Sequence, residues 1–534
     1  MKKNFLTRLL QASLMCCLAV IFTACDDMFA TEDNPTPAYL SMNTNDVTLK
    51  VGESKTRTAI AVSSAVIEYT SDNTAIATVD ANGTVTGVAE GETKINAIAT
   101  GYSSTSGKKI FETAKVSYKV IVKPAFVAAT DIALDQTMKV IKLGGDALAI
   151  AANTVPSDAT ITWESDAAAI ATVDETGKVT PVGVGIATIT AKSGDVKATC
   201  KIFVGNEVDL STKTADYPVE NYDILKNTLA GSYALTIPDG YKVAFAGLTT
   251  TKTVTCSGNA TIILADGSTN TVDVSAEYYI AGIKVGPTGK TLTIEAETAG
   301  DGILTAKGGL FAAGIGTGDS PSSAGGNITI NGGTVNATGG TNAAGIGTGK
   351  ADGSSNKCGA ITINGGTVTA QGGVYGAGIG TGYSQRNRSN TCGVITINGG
   401  TVTATGDNYA AGIGTGYVNA NSGDATAECG NIIIAGGTVT AQGGIYGAGI
   451  GTGLTNAYTG KTASQTCGAI TIGTGVTSVI ATKGSYAPYS IGVGDKAEFG
   501  GTENQACGTI TIGGDATTYA AGVAATPFTY PTAP

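Results

Sequence analysis

Along residues 303–526, short apolar runs alternate with Thr and Gly in a pattern that keeps returning. One unit, residues 361–382, reads ITINGGTVTAQGGVYGAGIGTG. The block GGTV begins at Gly332, Gly365, Gly399 and Gly436, and AGIGTG begins at Ala313, Ala344, Ala377, Ala411 and Ala448, at intervals of 31 to 37 residues. Weaker copies stand at residues 490–494 (SIGVG) and 520–524 (AAGVA). Each unit holds three strand-like pieces, ITI, TVTA and AGIG, parted by corners that Gly and Asn turn at least cost. Alternation puts Ile361, Ile363 and Val368 inside, with Thr362, Thr367 and Thr369 outside. A unit this short cannot bury its apolar face alone and must stack on its neighbours. Three strands per unit therefore predict a parallel β-helix, in which six to seven coils make a rod of roughly 30 Å. Residues 207–302 add the runs ALTIP, NATIILADG and KTLTIEA, which predict N-terminal coils and a cap, and residues 527–534 form a tail. A closed β-propeller fits less well, because blades need four strands and these units drift in length.

A second repeat precedes this array. Residues 76–95 read IATVDANGTVTGVAEGETKI and residues 170–189 read IATVDETGKVTPVGVGIATI, a constant offset of 94. Short alternating runs broken by Asn-Gly (82–83) and Thr-Gly (176–177) predict β-sandwiches. These residues resemble the group 2 bacterial Ig-like domain, whose hallmark run both copies match, except that Pro181 stands in the place of Gly87. The copies span residues 39–123 and 129–204. The resemblance implies a spacer or adhesion module on surface proteins and brings no catalytic residue with it. Trp163 is expected in the second core. Asp80 and Asp174 are expected to form turns rather than hold a metal, since no second carboxylate recurs beside both. The fold class is all-β, two Ig-like β-sandwiches followed by a parallel β-helix (solenoid).

The first residues carry a different pattern. Lys2, Lys3 and Arg8 precede an apolar run, residues 9–22, that is short for a membrane span and closes on Phe22-Thr23-Ala24-Cys25. Small residues before a cysteine resemble a lipobox, the cleavage signal of bacterial lipoproteins. The resemblance implies that residues 1–24 are a signal peptide and that lipid is attached to the Cys25 thiol. An ordinary secretory leader with an incidental cysteine is the other reading. Asp26 and Asp27 resemble the surface-export signal of Bacteroidetes lipoproteins, which implies an outer-membrane anchor and exposure on the cell surface. Residues 25–38 lack periodicity and read as a tether.

Composition narrows the chemistry. The 534 residues carry 42 acidic and 32 basic side chains, a net charge of −10, which argues against nucleic acid as a partner. Histidine is absent, so histidine bases, Ser-His or Cys-His nucleophiles and histidine metal sites are excluded together. The dense glycines of residues 376–382 do not make a nucleotide loop. G-x-G-x-x-G from Gly376 would need glycine where Thr381 stands, and the stretch recurs where a dinucleotide site would occur once. Cys358, Cys392, Cys429, Cys467 and Cys507 recur once per unit at spacings of 34 to 40, unlike any zinc finger. Five equivalent positions cannot all pair as disulfides, so a buried ladder of reduced thiols is the favoured reading. No cofactor or metal is expected.

Two features are candidate binding residues. Phe311, Tyr375, Tyr409 and Tyr446 stand four before the AGIGTG isoleucine, with Asn342 breaking the series. Stacked aromatics could form a platform for sugar rings or an internal ladder filling the coil, and both readings stay open. Polar insertions follow each AGIGTG and bring Tyr383, Arg386, Arg388, Tyr417, Tyr458 and Phe499 to one corner of the coil, where per-unit insertions often bind partners. The array also resembles glycine-rich right-handed β-helices of gut-bacterial surface proteins, whose relatives include adhesins, carbohydrate-binding modules and polysaccharide lyases. A lyase or hydrolase needs a base beside clustered carboxylates, whereas Asp319, Asp352, Asp407 and Asp424 are scattered singly. Three units carry Thr-x-Thr (367/369, 401/403, 438/440), too few for an ice-binding face. The expectation is a monomeric, non-enzymatic surface lipoprotein, its Ig-like spacers presenting a β-helix to glycans or to host or bacterial surface proteins. A β-helix lyase and a purely structural surface protein are the alternatives.

Overall fold

The computed structural model describes residues 36–37, 39–61, 65–101, 111–297, 301–318, 324–351, 355–515 and 522–531. The expected signal peptide and lipidated Cys25, most of the expected tether, Asp319 and Asp352 lie outside the described residues. The chain divides into two compact units, residues 1–129 with 156–160, and residues 130–155 with 161–534. No described helix is long and apolar enough to cross a membrane.

In the first unit, Val47–Lys50, Ala114–Lys123, Gly91–Gly101 and Ala65–Ser71 form one sheet in that order, and Ser54–Thr56, Thr84–Gly87 and Ala77–Val79 form a second. Alternation along the strands aims Leu49, Val85, Ile95, Tyr118 and Val120 into a shared core. Asp80 does form a turn, its Oδ1 accepting from the amides of Asn82 (2.9 Å) and Thr84 (2.7 Å). In the second sandwich, Asp174 Oδ1 accepts from the amides of Thr176 (2.9 Å) and Lys178 (3.0 Å). Trp163 lies half-buried against the second core. It crosses Gly177, where a Cβ would lie 2.7 Å from its ring, as Tyr69 crosses Gly83 in the first copy.

The second sandwich does not end in a linker. One strand, Val196–Asp209, pairs antiparallel with Gly185–Ser193 inside the sandwich, then parallel with the solenoid strand Asp223–Thr228 through Asn206 to Asp209. At the crossing stands Gly205, where a Cβ would come 2.3 Å from the Tyr222 carbonyl. Phe203, Ile224, Ala244 and Ile263 pack across this junction with Met138, Val140 and Ile186. Lys139 Nζ lies 2.8 Å from Asp266 and 3.6 Å from Glu297. The Glu297 carboxylate, 3% exposed, accepts from the amides of Val140 and Asp266.

Beyond the junction the strands stack in parallel. The Leu235–Ile237 strand opens a sheet of nine rungs that ends at Ile491–Gly492, eight spacings or about 38 Å. The three upstream rungs come from residues 235–284. ITI and TVTA strands build the long companion sheet. Columns of identical residues run through the stack, as in Ile361, Ile395, Ile432, Ile470 and Ile510, or Val335, Val368, Val402, Val439 and Val479. Nearly all of these are fully buried, so the inward and outward assignment of Ile361, Ile363 and Val368 holds. The column Gly316, Gly347, Gly380, Gly414 and Gly451 has φ between +134° and +144°, and a Cβ at any of them would fall within 1.9 Å of the next rung's carbonyl oxygen. That close approach is why AGIG repeats. Each AGIGTG threonine is buried and bridges rungs, as when Thr381 Oγ1 accepts from the Gly416 amide at 2.9 Å.

Two expectations need correction. AAGVA is not a further parallel rung, because Val523 meets Ile491 in an antiparallel bridge. The insertions are not loops. They build two extra parallel sheets, one from Asn356–Cys358 to Thr502–Cys507 and one from Ser384–Gln385 to Lys496–Phe499. Alternating Ala and Val at residues 418–427 give this lateral lobe its own core of Val418, Ala420, Ala425, Ala427, Ala457 and Ala463.

Candidate functional site

Where the lobe meets the solenoid, the tyrosines of the AGIGTG flanks converge. The outer column stacks Tyr375 on Tyr409 (5.2 Å between centroids), Tyr409 on Tyr446 (5.3 Å) and Tyr446 on Tyr486 (5.1 Å), with planes within 19°. An inner column stacks Tyr383 on Tyr417 at 5.2 Å, and Leu454 continues it. The columns also touch, Tyr375 meeting Tyr383 at 5.1 Å and Tyr409 meeting Tyr417 at 5.1 Å. Together they form an apolar cluster separate from the main coil core.

The columns differ in what they offer. Tyr383 and Tyr417 are buried, and their hydroxyls accept from Asn419 (3.2 Å) and Asn456 (3.0 Å) of the next rung. Burial pushes the Tyr417 hydroxyl well above its ordinary pKa. Tyr375, Tyr409 and Tyr446 are half-exposed and Tyr486 is 64% exposed, and among the described residues their hydroxyls have no protein partner. Stacking has covered the ring faces of the middle tyrosines, so the outer column presents edges and hydroxyls to solvent. An open face remains at the Tyr486 end.

Lys350 takes the tyrosine's place one rung earlier. Its ammonium stands 4.7 Å from the Phe311 centroid and 5.7 Å from that of Tyr383, bridging the tyrosines to the group of Phe311, Tyr278 and Tyr279. The remaining candidates lie elsewhere. Arg386 and Asn387 occupy a left-handed two-residue turn (φ +57° and +59°) at the lobe's tip, exposed to solvent. Tyr458 stacks on Phe499 at 5.0 Å, both exposed, on the lobe's outer strands.

Several working residues escaped the sequence reading. Asn390 Nδ2 donates to the Tyr383 carbonyl (2.9 Å), Gln465 Nε2 to that of Leu454 (2.8 Å) and Gln505 Nε2 to that of Asp495 (2.9 Å). These amides, buried at Asn390 and Gln465 and half-buried at Gln505, tie the lobe to the coil, and Ala427 breaks the series between Asn390 and Gln465. Each stands two residues before a repeat cysteine, Cys392, Cys467 or Cys507, so a fixed offset from the cysteine ladder marks them in the sequence. Tyr486 stands five before Ile491 rather than four, and that one-residue shift hid it.

The repeat cysteines are free, stacked in register from Cys358 to Cys507, and buried except for the half-exposed Cys507. Contact with Cys392 and burial hold the Cys358 thiol well above its ordinary pKa. Among the described residues no group of three or more Cys, Asp or Glu could hold a metal ion.

Comparison with known families matches "Bacterial Ig-like domain (group 2)" to residues 40–108 and 128–203. "Beta helix repeat" matches residues 328–350, 361–383, 395–417 and 432–454. No curated protein matches the chain. Among solved structures, mouse cadherin-23 EC22-24 is similar at 15% identity over 33% of this chain and 66% of that one, with a TM-score of 0.17. Domains 4 and 5 of the S-layer protein SbsC are similar at 21% identity over 26% and 76%, with a TM-score of 0.13. Human protocadherin-24 EC1-2 is similar at 11% identity over 32% and 99%, with a TM-score of 0.16. Likeness this slight carries no argument about function. The chain carries two bacterial Ig-like domains of group 2 followed by a beta helix repeat region.

Proposed function

We propose that this protein is a non-enzymatic, glycan-binding protein of the bacterial surface, lipid-anchored at Cys25, in which the Ig-like domains serve as spacers for the solenoid. Ig-like domains joined to a β-helix repeat support an extracellular or surface setting. The observation that carries the binding reading is the outer column of Tyr375, Tyr409, Tyr446 and Tyr486, which repeats an unpartnered hydroxyl at about one rung's spacing. A repeating row of donors and acceptors suits a polymer with repeating hydroxyls. Tyr383 and Tyr417 act as its support. A glycan array probed with the full chain tests the reading, together with Tyr375→Phe, Tyr446→Phe and Tyr486→Phe combined. Binding by the wild type that weakens in the Phe variant, with the melting curve unchanged, is the expected result. An array with no bound glycan refutes it.

A further inference from the structure

On the solenoid, a polar groove of about 350 Å³ opens beside the TVTA corner, and Gln371, Thr405, Asn408, Gln442 and Ser485 contribute side chains to it. The register Gln371–Thr405–Gln442–Thr482 places its lining on four consecutive rungs, so the groove runs along the solenoid axis for three spacings, about 14 Å. Gly443 and Gly484 leave its wall without side chains.

These polar groups are not used by the fold. Many other carboxamides on the solenoid satisfy one another, as in the ladder Asn398 to Asn364 to Asn331 at 2.8 Å per step, or bond to carbonyls, as Asn390 and Gln465 do. Among the described residues, the side chains of Gln371, Thr405, Asn408, Gln442 and Ser485 make no hydrogen bond within the protein. Three carboxamides and two hydroxyls thus converge on one groove with their donors and acceptors free. Asp407 and Lys483 add one charge of each sign, and Lys483 is steadied by its bond to the Ala487 carbonyl (2.6 Å).

We infer that this groove binds a linear, extended β-linked oligosaccharide lying parallel to the solenoid axis, one sugar per rung. The inference rests on the glycan-binding reading above and adds a second contact surface beside the tyrosine column, since Asn408, Ile445 and Ser485 directly precede Tyr409, Tyr446 and Tyr486. One hydroxyl-rich ring per rung lets each carboxamide meet an equivalent group on successive sugars. An extended peptide advances about 3.4 Å per residue and falls out of step with rungs about 4.8 Å apart. The chain's net charge of −10 disfavours a polyanion such as nucleic acid.

The test measures binding of xylohexaose, mannohexaose and cellohexaose to the full chain by calorimetry. Two groove variants are compared with the wild type, Asn408→Ala with Gln442→Ala, and Thr405→Arg, which fills the groove. Their side chains hold nothing in the fold, so the melting curves should not move. The expected result is that at least one hexaose binds and that either variant weakens it about tenfold or more. Binding that survives in both variants overturns the groove, and so does an array that captures glycans while none of the hexaoses binds. In either case the glycan reading still stands. Failure of the wild type to bind any hexaose or any array glycan overturns both.

Discussion

Glu297→Ala should loosen the second sandwich from the solenoid. Glu297 is 3% exposed, and its carboxylate spans the junction by accepting from the Val140 amide on one side and the Asp266 amide on the other. Burial raises its pKa, while the two amides and Lys139 oppose that rise. Alanine leaves two part-buried donors without acceptors, at about 1–3 kcal/mol each. Lys139 keeps Asp266 at 2.8 Å, so the ammonium is not orphaned. The sum is about 2–6 kcal/mol. Urea unfolding of the full chain, followed by Trp163 fluorescence, reports on the second sandwich, since Trp163 is the chain's sole tryptophan. The variant should lose Trp163 packing at lower urea, while far-ultraviolet dichroism of the solenoid keeps its own midpoint. Glu295→Ala, at a half-exposed site nearby, should shift the curve by under about 1 kcal/mol. If Glu297→Ala unfolds with the wild-type midpoint on both probes, the junction is not held as described.

Tyr417→Ala removes a buried ring that touches three others and should cost about 3–5 kcal/mol by thermal melting, whereas Tyr417→Phe, losing only the bond from Asn456, should cost about 1 kcal/mol. Gly414→Ala drives a Cβ to 1.8 Å from the Gly451 carbonyl oxygen and should abolish soluble folded protein, while Gly289→Ala, also at positive φ but in open space, should cost about 1–2 kcal/mol. Iodoacetamide with peptide mapping should label Cys507 in the native protein and reach Cys358, Cys392, Cys429 and Cys467 only after unfolding. The Asp174 carboxyl is held below its ordinary value of 3.8 by bonds from the Thr176 hydroxyl and from the amides of Lys178 and Thr176. Its contribution is therefore present above that value and lost as pH falls through the lower folded value. Wild type and Asp174→Asn should accordingly converge in stability only in strong acid.

What the sequence discloses here follows from distance along the chain. A period of two fixes which face of Ile361–Ile363 turns inward, and the recurring Asn-Gly-Gly fixes the corners, so the coil could be read from a single unit. The offset of 94 disclosed the paired sandwiches, and even the pairing of Tyr69 with Trp163 obeys it. The junction could not be read in this way, because Val140 and Glu297 are 157 residues apart and belong to different repeats. Nothing periodic announces that Val196–Asp209 continues from a sandwich into a coil. The lobe is hidden in the sequence for a related reason. Each insertion alone is polar and without strand-like apolar runs, and its Ala and Val positions form a core only when neighbouring insertions stack.

The tyrosines show the same limit in the site itself. Sequence spacing places Tyr375, Tyr409 and Tyr446 on one corner, but it does not say whether rings at one-rung spacing lie side by side or face to face. At 5.2–5.3 Å with planes nearly parallel, each ring spends its face on its neighbour. A sugar stacking on the middle of the column would have to displace a tyrosine. What remains available along the column is therefore hydroxyls, and along the adjacent corner carboxamides, both repeating once per rung. The glycan recognition proposed for this solenoid would accordingly rest on hydrogen-bond register rather than aromatic area. An array hit that depended on the Tyr409 ring but on none of the outer hydroxyls or groove amides would contradict that conclusion.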